Sequence, residues 1–445
     1  MSDMLSIGAS GVRAYQAALT TVSDNIANAG TAGYTRRTTT IREVAAPTSA
    51  KITSTSGMGS IASGVVRNAD DLRAAGVRSA SSDLARTEAG ATWLDRIQDA
   101  LTGNQLSDRI TDFFNSAKAV AADPSALAPR ATMLESATSV ANAFAATGDA
   151  LATTASDLDA SAGAAVTQLN SLTAGLAKVN AGLARATPGS AGAATLADQR
   201  DQLLEQISMI ADVSVSLDGY GRAAVSAGGG GPTLVQGEGA ASVTYVLNDE
   251  GALSFATHDG SGTHAFGPSG GALAGIADGA LRIASARETL GMIAQDFVSG
   301  VNAVQAQGQD LTAGAGAPMF EAGDPATKIA VVLGDPRGIA AASPGGGVRD
   351  NANLARLDAL RSSGAFEARM TDTVSSNAAA LSARQTLSDA QTAIRDSAVA
   401  QRDNASGVNI DEEAVDLMRF QQAYQASSRV IQIARETLQS ILDIR

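Results

Sequence analysis

LSIGASGVRAYQAALTTVSDNIANA (residues 5–29) and IDEEAVDLMRFQQAYQASSRVIQIARETLQSI (residues 410–441) stand at opposite ends of a 445-residue chain and share one pattern. In the first, Leu5, Gly8, Val12, Tyr15, Leu19, Val22, Ile26 and Ala29 recur at spacings of three and four. In the second, Ile410, Leu417, Phe420, Tyr424, Ile431, Ala434, Leu438 and Ile441 do the same, with Glu413 and Ser427 interrupting. Such a stripe gives a helix one narrow apolar seam that wants a partner helix. The two ends are therefore expected to pair as a coiled coil, within one chain or between copies.

Working inward, residues 35–65 are rich in threonine, serine and isoleucine and read as extended or loop structure, with Pro47 and Gly57-Met58-Gly59 as breakers. A helical region follows from about Ala69 to Arg185, broken at Gly103 and near Asp123-Pro124. Its longest register runs through Val140, Phe144, Leu151, Leu158, Leu169, Leu172, Leu176, Val179 and Leu183. A helix that continuous is about 80 Å long at ~1.5 Å per residue, which predicts a rod. From Ala211 the period changes to two. Val213, Val215 and Leu217 lead to the turn Asp218-Gly219-Tyr220-Gly221, and Val243, Tyr245 and Leu247 lead through Asn248-Asp249-Glu250-Gly251 to Leu253 and Phe255. These are hairpins, with Gly228–Gly231 and Pro232 read as a flexible connection. Helical spacing returns at Leu290, Ile293 and Phe297; residues 310–350 read as loop; a weaker helix spans about 364–404. Asn409 and Glu412 suit a capping box at the start of the last helix.

The expected fold is mainly α with an inserted β-rich domain (α+β): paired terminal helices from 1–45 plus 405–445, a helical rod from 46–207 plus 281–404, and a small outer β domain at 208–280.

The net charge of −13 and the lack of a basic cluster exclude a phosphate-neutralising surface and make nucleic acid or an anionic membrane an unsuitable partner. With no cysteine there is no thiol catalysis. The start Met1-Ser2-Asp3-Met4 lacks a basic and apolar leader, so export by an ordinary cleaved signal is not expected. Only His258 and His264 offer imidazoles, in a glycine-rich turn with no third placed ligand, and they read as a solvated loop rather than a metal site. Asp95 and Asp99, or Glu412 and Glu413, read as solvated helix faces, and Trp93 as a packing residue. No phosphate-binding loop or dinucleotide motif occurs. No catalytic residue, metal or cofactor is expected, and the chain reads as a non-enzyme.

The ends also carry a specific likeness. Gly11-Val12, Gln16, Ala18-Leu19, Ser23, Asn25-Ile26-Ala27-Asn28, Thr31 and Gly33-Tyr34-Thr35-Arg36 resemble the N-terminal signature of the flagellar rod, hook and hook-associated axial proteins. Ser406-Gly407-Val408-Asn409-Ile410-Asp411-Glu412-Glu413 and Phe420-Gln421-Gln422-Ala423-Tyr424-Gln425-Ala426 resemble its C-terminal signature. Phe113-Phe114-Asn115, Ala121-Ala122-Asp123-Pro124 and Leu196-Ala197-Asp198-Gln199-Arg200-Asp201-Gln202-Leu203-Leu204 resemble the hook-associated branch, whereas rod and hook proteins usually show Gly-Phe-Lys in place of Gly33-Tyr34-Thr35-Arg36. Little lies between Phe320 and Asp335, where longer relatives carry an extra outer domain.

The resemblance implies an extracellular structural subunit, exported unfolded through the flagellar type III channel and assembled with copies of itself as a ring between hook and filament. It implies the hook protein below, the second hook–filament junction protein above, and a cytoplasmic export chaperone on the C-terminal segment. The alternative is another axial rod or hook subunit; an exported enzyme acting on wall glycan is a distant third. The assembly residues expected are Leu5, Val12, Leu19, Asn25, Ile26, Asn28, Gly33, Tyr34, Arg36, Ile410, Leu417, Phe420, Tyr424, Ile431 and Leu438. Arg36 and Arg37 are expected to meet carboxylates across a subunit boundary, and residues 1–30 and 405–445 to be largely unstructured until packed. Local capping chemistry at Asn25, Asn28 and Gly33, and an intramolecular coiled coil in a monomer, are the competing readings.

Overall fold

The computed structural model describes residues 2–44, 59–248 and 250–443. The helices are α1 (Ser2–Ala27), α2 (Asp71–Thr102), α3 (Leu106–Ala122), α4 (Leu127–Arg185), α5 (Ala191–Ile210), α6 (Gly271–Ala306), α7 (Leu354–Gly364), α8 (Phe366–Ser406) and α9 (Ile410–Asp443). The strands are β1 (Arg37–Glu43), β2 (Ser60–Arg67), β3 (Val213–Leu217), β4 (Ala223–Ala227), β5 (Thr233–Gln236), β6 (Gly239–Ala240), β7 (Ser242–Leu247), β8 (Leu253–Asp259), β9 (Gly262–Phe266), β10 (Phe320–Ala322) and β11 (Ile329–Val331). Long helices with small antiparallel sheets make the fold mainly α with a β insertion.

The rod is organised by α4, whose 59 residues span about 88 Å at ~1.5 Å per residue. Its buried seam runs Val140, Phe144, Thr147, Leu151, Thr154, Leu158, Ala162, Val166, Leu169, Thr173, Leu176, Asn180 and Leu183. Small polar residues fill places where a purely apolar scan sees gaps. The extra residue between Leu158 and Val166 breaks the seven-residue rule and restores the ~3.6-residue period of a straight helix. That break also separates two apolar cores. One gathers Phe113, Phe114, Phe144, Phe297, Phe320 and Phe366 from α3, α4, α6, β10 and α8. The other gathers Leu169, Leu176, Leu204, Ile207, Leu234 and Phe255 beneath the sheets. Trp93 is buried against Gly279, where the absent side chain lets α2 and α6 touch.

The insertion holds a four-stranded sheet in the order β3-β4-β5-β6 and a three-stranded sheet β7-β8-β9. Gly228–Gly231, read as a flexible connection, is a tight turn feeding β5, and β9 completes the second sheet. Strand structure ends at Phe266, and α6 begins at Gly271 rather than after residue 280. Ile276, Gly279 and Ala280 were hidden by their small neighbours but pack into the helical core. Similarly, β2 pairs with β1 and lies on α1, so residues 60–67 sit with the chain ends although the sequence places them in the rod. Residues 320–335 hold only the short β10–β11 hairpin. The expectation for Pro47 and Gly57-Met58, and the Asp249 position of the β7–β8 turn, lie outside the described residues.

Candidate assembly site at the paired chain ends

α1 and α9 pack antiparallel. Gly8 faces Ile431, Gly11 faces Ser427, the Tyr15 and Phe420 rings lie 6.4 Å apart, and Asn25 meets Glu413. The deepest positions of α1 are Gly8, Gly11, Ala14, Ala18, Thr21, Val22 and Asn25. A Cβ at Gly8 would stand 2.7 Å from Ile431 Cγ1, and one at Gly11 2.8 Å from Ser427 Oγ. The axes therefore approach closely along a stripe of small residues.

The larger residues chosen from sequence flank that stripe. Leu5, Val12, Leu19 and Ile26 are half-buried, as are Leu417, Phe420, Tyr424 and Ile431. Ile410 and Leu438 are exposed at 58% and 40%, so neither contributes to the pair itself. Leu438 lies where α9 outruns the start of α1. On the outer side of α9, Val415, Met418 and Ile433 are each more than half exposed, with Gln422 and Arg429 between them. Nothing among the described residues covers them.

The pair is clasped at one end by a polar cluster. Asn25 is fully buried and satisfied: Nδ2 donates to the Arg37 carbonyl at 2.8 Å and to Glu413 Oε2 at 3.0 Å, while Oδ1 accepts from Arg37 N at 3.0 Å and from Tyr34 Oη at 2.9 Å. Burial pushes the Tyr34 phenol pKa up, with Arg37 pulling the other way, which keeps it a donor. Arg36 forks across the start of α9, with Nε on Glu413 at 2.6 Å, Nη1 on Glu412 at 3.1 Å and Nη2 on Asp416 at 3.5 Å. Burial opposes its charge, but the hydrogen bond to Glu413 and the charges of Glu413, Glu412 and Asp416 together outweigh burial and raise its pKa. Asn28 caps locally, donating to the Asp24 carbonyl at 2.9 Å. Gly33 takes a left-handed φ of 75° and lies against the Gln202 side chain, where no larger residue fits.

Two expectations are corrected here. Arg36 and Arg37 find their carboxylates inside the chain, on α9 and at Asp198 of α5, because the turn after α1 folds back onto both helices. Glu413 is no solvated residue; it is 1% exposed because α1 brings Asn25 and Arg36 over it. Glu412 pairs with Arg36, while Asn409 Oδ1 alone caps the Asp411 amide at 3.0 Å. Sequence reading also missed Arg67, Asp198, Asp201 and Gln202 as residues of this region, although the segment holding the last three had been singled out.

Glu413→Ala is expected to destabilise the helix pair by about 3 kcal/mol, since it strands a buried Asn25 and leaves Arg36 short of a partner. Glu412→Ala, at an exposed pair, is expected to change stability by ~0.5 kcal/mol. Hydrogen-exchange protection of α1 amides separates the two.

The histidines do not converge. His258 faces Thr263 across β8–β9, whereas His264 pairs with Thr257, so the two-residue period puts the imidazoles on opposite faces. His258 bonds Thr244 and Thr263, and His264 bonds Ser261.

Residues 92–320 match the family described as flagellar hook-associated protein FlgK helical domain. The chain belongs to this family. Residues 5–35 also match the flagella basal body rod protein family, and residues 399–444 the flagellar basal body rod FlgEFG protein C-terminal family. Flagellar hook-associated protein 1 of Escherichia coli (strain K12) is 27% identical over 337 residues, covering 73% of this chain and 61% of its own length. Its counterpart from Salmonella typhimurium is 27% identical over 336 residues, covering 73% and 60%. The chain thus spans about three-fifths of the length of these relatives. The structure of the flagellar hook junction protein FlgK from Burkholderia pseudomallei is similar with a TM-score of 0.50 at 25% identity, over 56% of this chain and 46% of that one. The FlgK family match thus runs from the end of α2 through the β3–β9 insertion to β10, and the two axial-protein matches fall on the paired ends. No helix among the described residues is long and apolar enough to cross a membrane.

Proposed function

We propose that this protein is a structural, non-enzymatic subunit of the bacterial flagellum that sits at the junction of hook and filament and assembles with copies of itself through its paired ends. The observation that carries this reading is the outer face of α9, where Val415, Met418 and Ile433 remain exposed although α1 already occupies the opposite side. A helix with exposed apolar side chains opposite its packed seam has a face left for a second partner, and the described residues of its own chain supply only the first. Head-to-tail contacts of that kind build rings and tubes.

The subunit is extracellular, passes out unfolded by the flagellar type III route, and is held by an export chaperone on its C-terminal segment beforehand. Its neighbours in the axis are the hook protein and the second junction protein. The small-residue seam supports export followed by assembly, since helices rich in Ala, Ser and Thr gain most of their stability from packing. Domain limits follow the same logic, with the pair plus the β1–β2 hairpin innermost, the rod next and the β3–β9 sheets outermost. The long rod helices favour the junction subunit over a rod or hook subunit.

The test is a deletion strain viewed by electron microscopy. Hooks without filaments, with filament protein released into the medium, are expected, and the native gene restores filaments. Normal filaments in the deletion strain would overturn the assignment.

A further inference from the structure

The terminal helix pair and the rod do not share a hydrophobic core. Ala14, Ala18, Val22 and Ala434 are buried between α1 and α9, yet none belongs to either rod cluster. The described chain crosses between the two bodies at residues 68–70 and 407–409. What joins them is polar. Arg37 opens β1 and Arg67 closes β2, and these two cations are direct cross-strand partners. Like charges placed so would push the foot of the hairpin apart. One carboxylate holds both: Asp198 of α5, with a side chain only 10% exposed, takes Arg37 at 2.8 Å on one oxygen and Arg67 at 2.8 Å on the other. Asp201, one turn on, takes Arg67 at 2.6 Å, and Gln202 donates to the Ala32 carbonyl at 2.7 Å. Arg200 continues the chain of contacts, bonding Asp201 and donating at 2.6 Å to the Gly221 carbonyl in the β3–β4 turn. Beside this joint lies a cleft of about 1040 Å³ between the turn after α1, the start of α2 and the α8–α9 connection. The bodies have room to move there once the contacts are released.

We propose that Asp198 is an orientation latch, a single carboxylate on the rod that grips a cross-strand arginine pair and fixes the angle between the terminal helices and the rod. A polar joint is suited to this because paired ions demand one geometry, whereas an apolar contact of the same size tolerates sliding. The use of a fixed angle, presenting the outer face of α9 to a neighbour, rests on the assembly reading; the latch itself is a property of the single chain.

The chain has no cysteine, so Thr138→Cys on α4 and Ser440→Cys on α9 give two unique sites for nitroxide labels. Both positions are exposed. Pulsed electron paramagnetic resonance on the full-length monomer is expected to give one narrow distance distribution. Asp198→Asn is expected to broaden it at least twofold with unchanged helix content by circular dichroism. Asp198→Glu, which keeps the charge, is expected to recover most of the narrow peak. Arg67→Gln, which spares the Arg37 ion pair, is expected to broaden it by less. A distribution that stays narrow in Asp198→Asn overturns the latch, whatever Arg67→Gln does. So does loss of helix content in both variants, which would assign the network to folding instead. Because the measurement is made on monomer, a failed latch leaves the deletion-strain result standing, and the reverse also holds.

Discussion

Ile433→Asp combined with Leu438→Asp is expected to leave the isolated chain folded and to abolish its assembly. Both side chains are exposed, at 56% and 40%, so each substitution should shift stability by no more than ~0.5 kcal/mol. In the assembled state the same positions would be covered, and an unpaired carboxylate there costs several kcal/mol in every copy. The expected phenotype is that of the deletion strain, with hooks but no filaments, while the variant itself is still secreted. Its thermal melting and helix content should match the native chain. Leu417→Asp makes the contrast, because Leu417 is half-buried against α1 and its loss should open the helix pair before any neighbour arrives. Filaments of normal length on the double variant would remove Ile433 and Leu438 from the interface.

The largest effect on stability is expected at Phe297. Its ring is fully buried and meets Phe113 at 5.3 Å, Phe320 at 5.4 Å, Phe366 at 5.5 Å, Phe144 at 5.7 Å and Phe114 at 6.1 Å between centroids. Five aromatic partners from four other elements of the rod thus converge on one side chain of α6. Phe297→Ala removes the hub and leaves a cavity that surrounding rings cannot close, for which about 4 kcal/mol is expected. Chemical denaturation of the full chain should show the rod transition moving to lower denaturant. Because the terminal pair lies outside this core, hydrogen exchange of α1 should be little changed. A shift under 1 kcal/mol would mean the cluster repacks freely.

The sequence made the fold class and the α4 rod legible because long three-four registers report helices strongly, and alternating strands bounded by Gly turns report hairpins. It hid elements whose packing uses small or polar side chains. α6 begins with Gly271-Ala272-Leu273-Ala274-Gly275, which a scan for large apolar residues passes over, and α7 is short with a weak pattern. At the chain ends the same bias moved the seam. The scan selected Gly8 and Val22 correctly but otherwise chose Val12, Tyr15, Leu19 and Ile26, while the buried line runs through Gly11, Ala14, Ala18 and Asn25, one position earlier in each case. The spacing Gly8-x-x-Gly11 was the available signal. Charge partners were not legible at all, since Arg36 and Glu413 stand 377 residues apart and Arg37 and Asp198 161. Only the fold brings such pairs together.

The glycines and alanines along α1 have a consequence for size. Helices that touch through hydrogen and methyl groups sit near the short end of the ~8–10 Å range of axial spacing, so the two-helix unit is thin. Any cylinder walled by such units spends little radius on its lining and keeps a correspondingly wider bore for cargo moving through it.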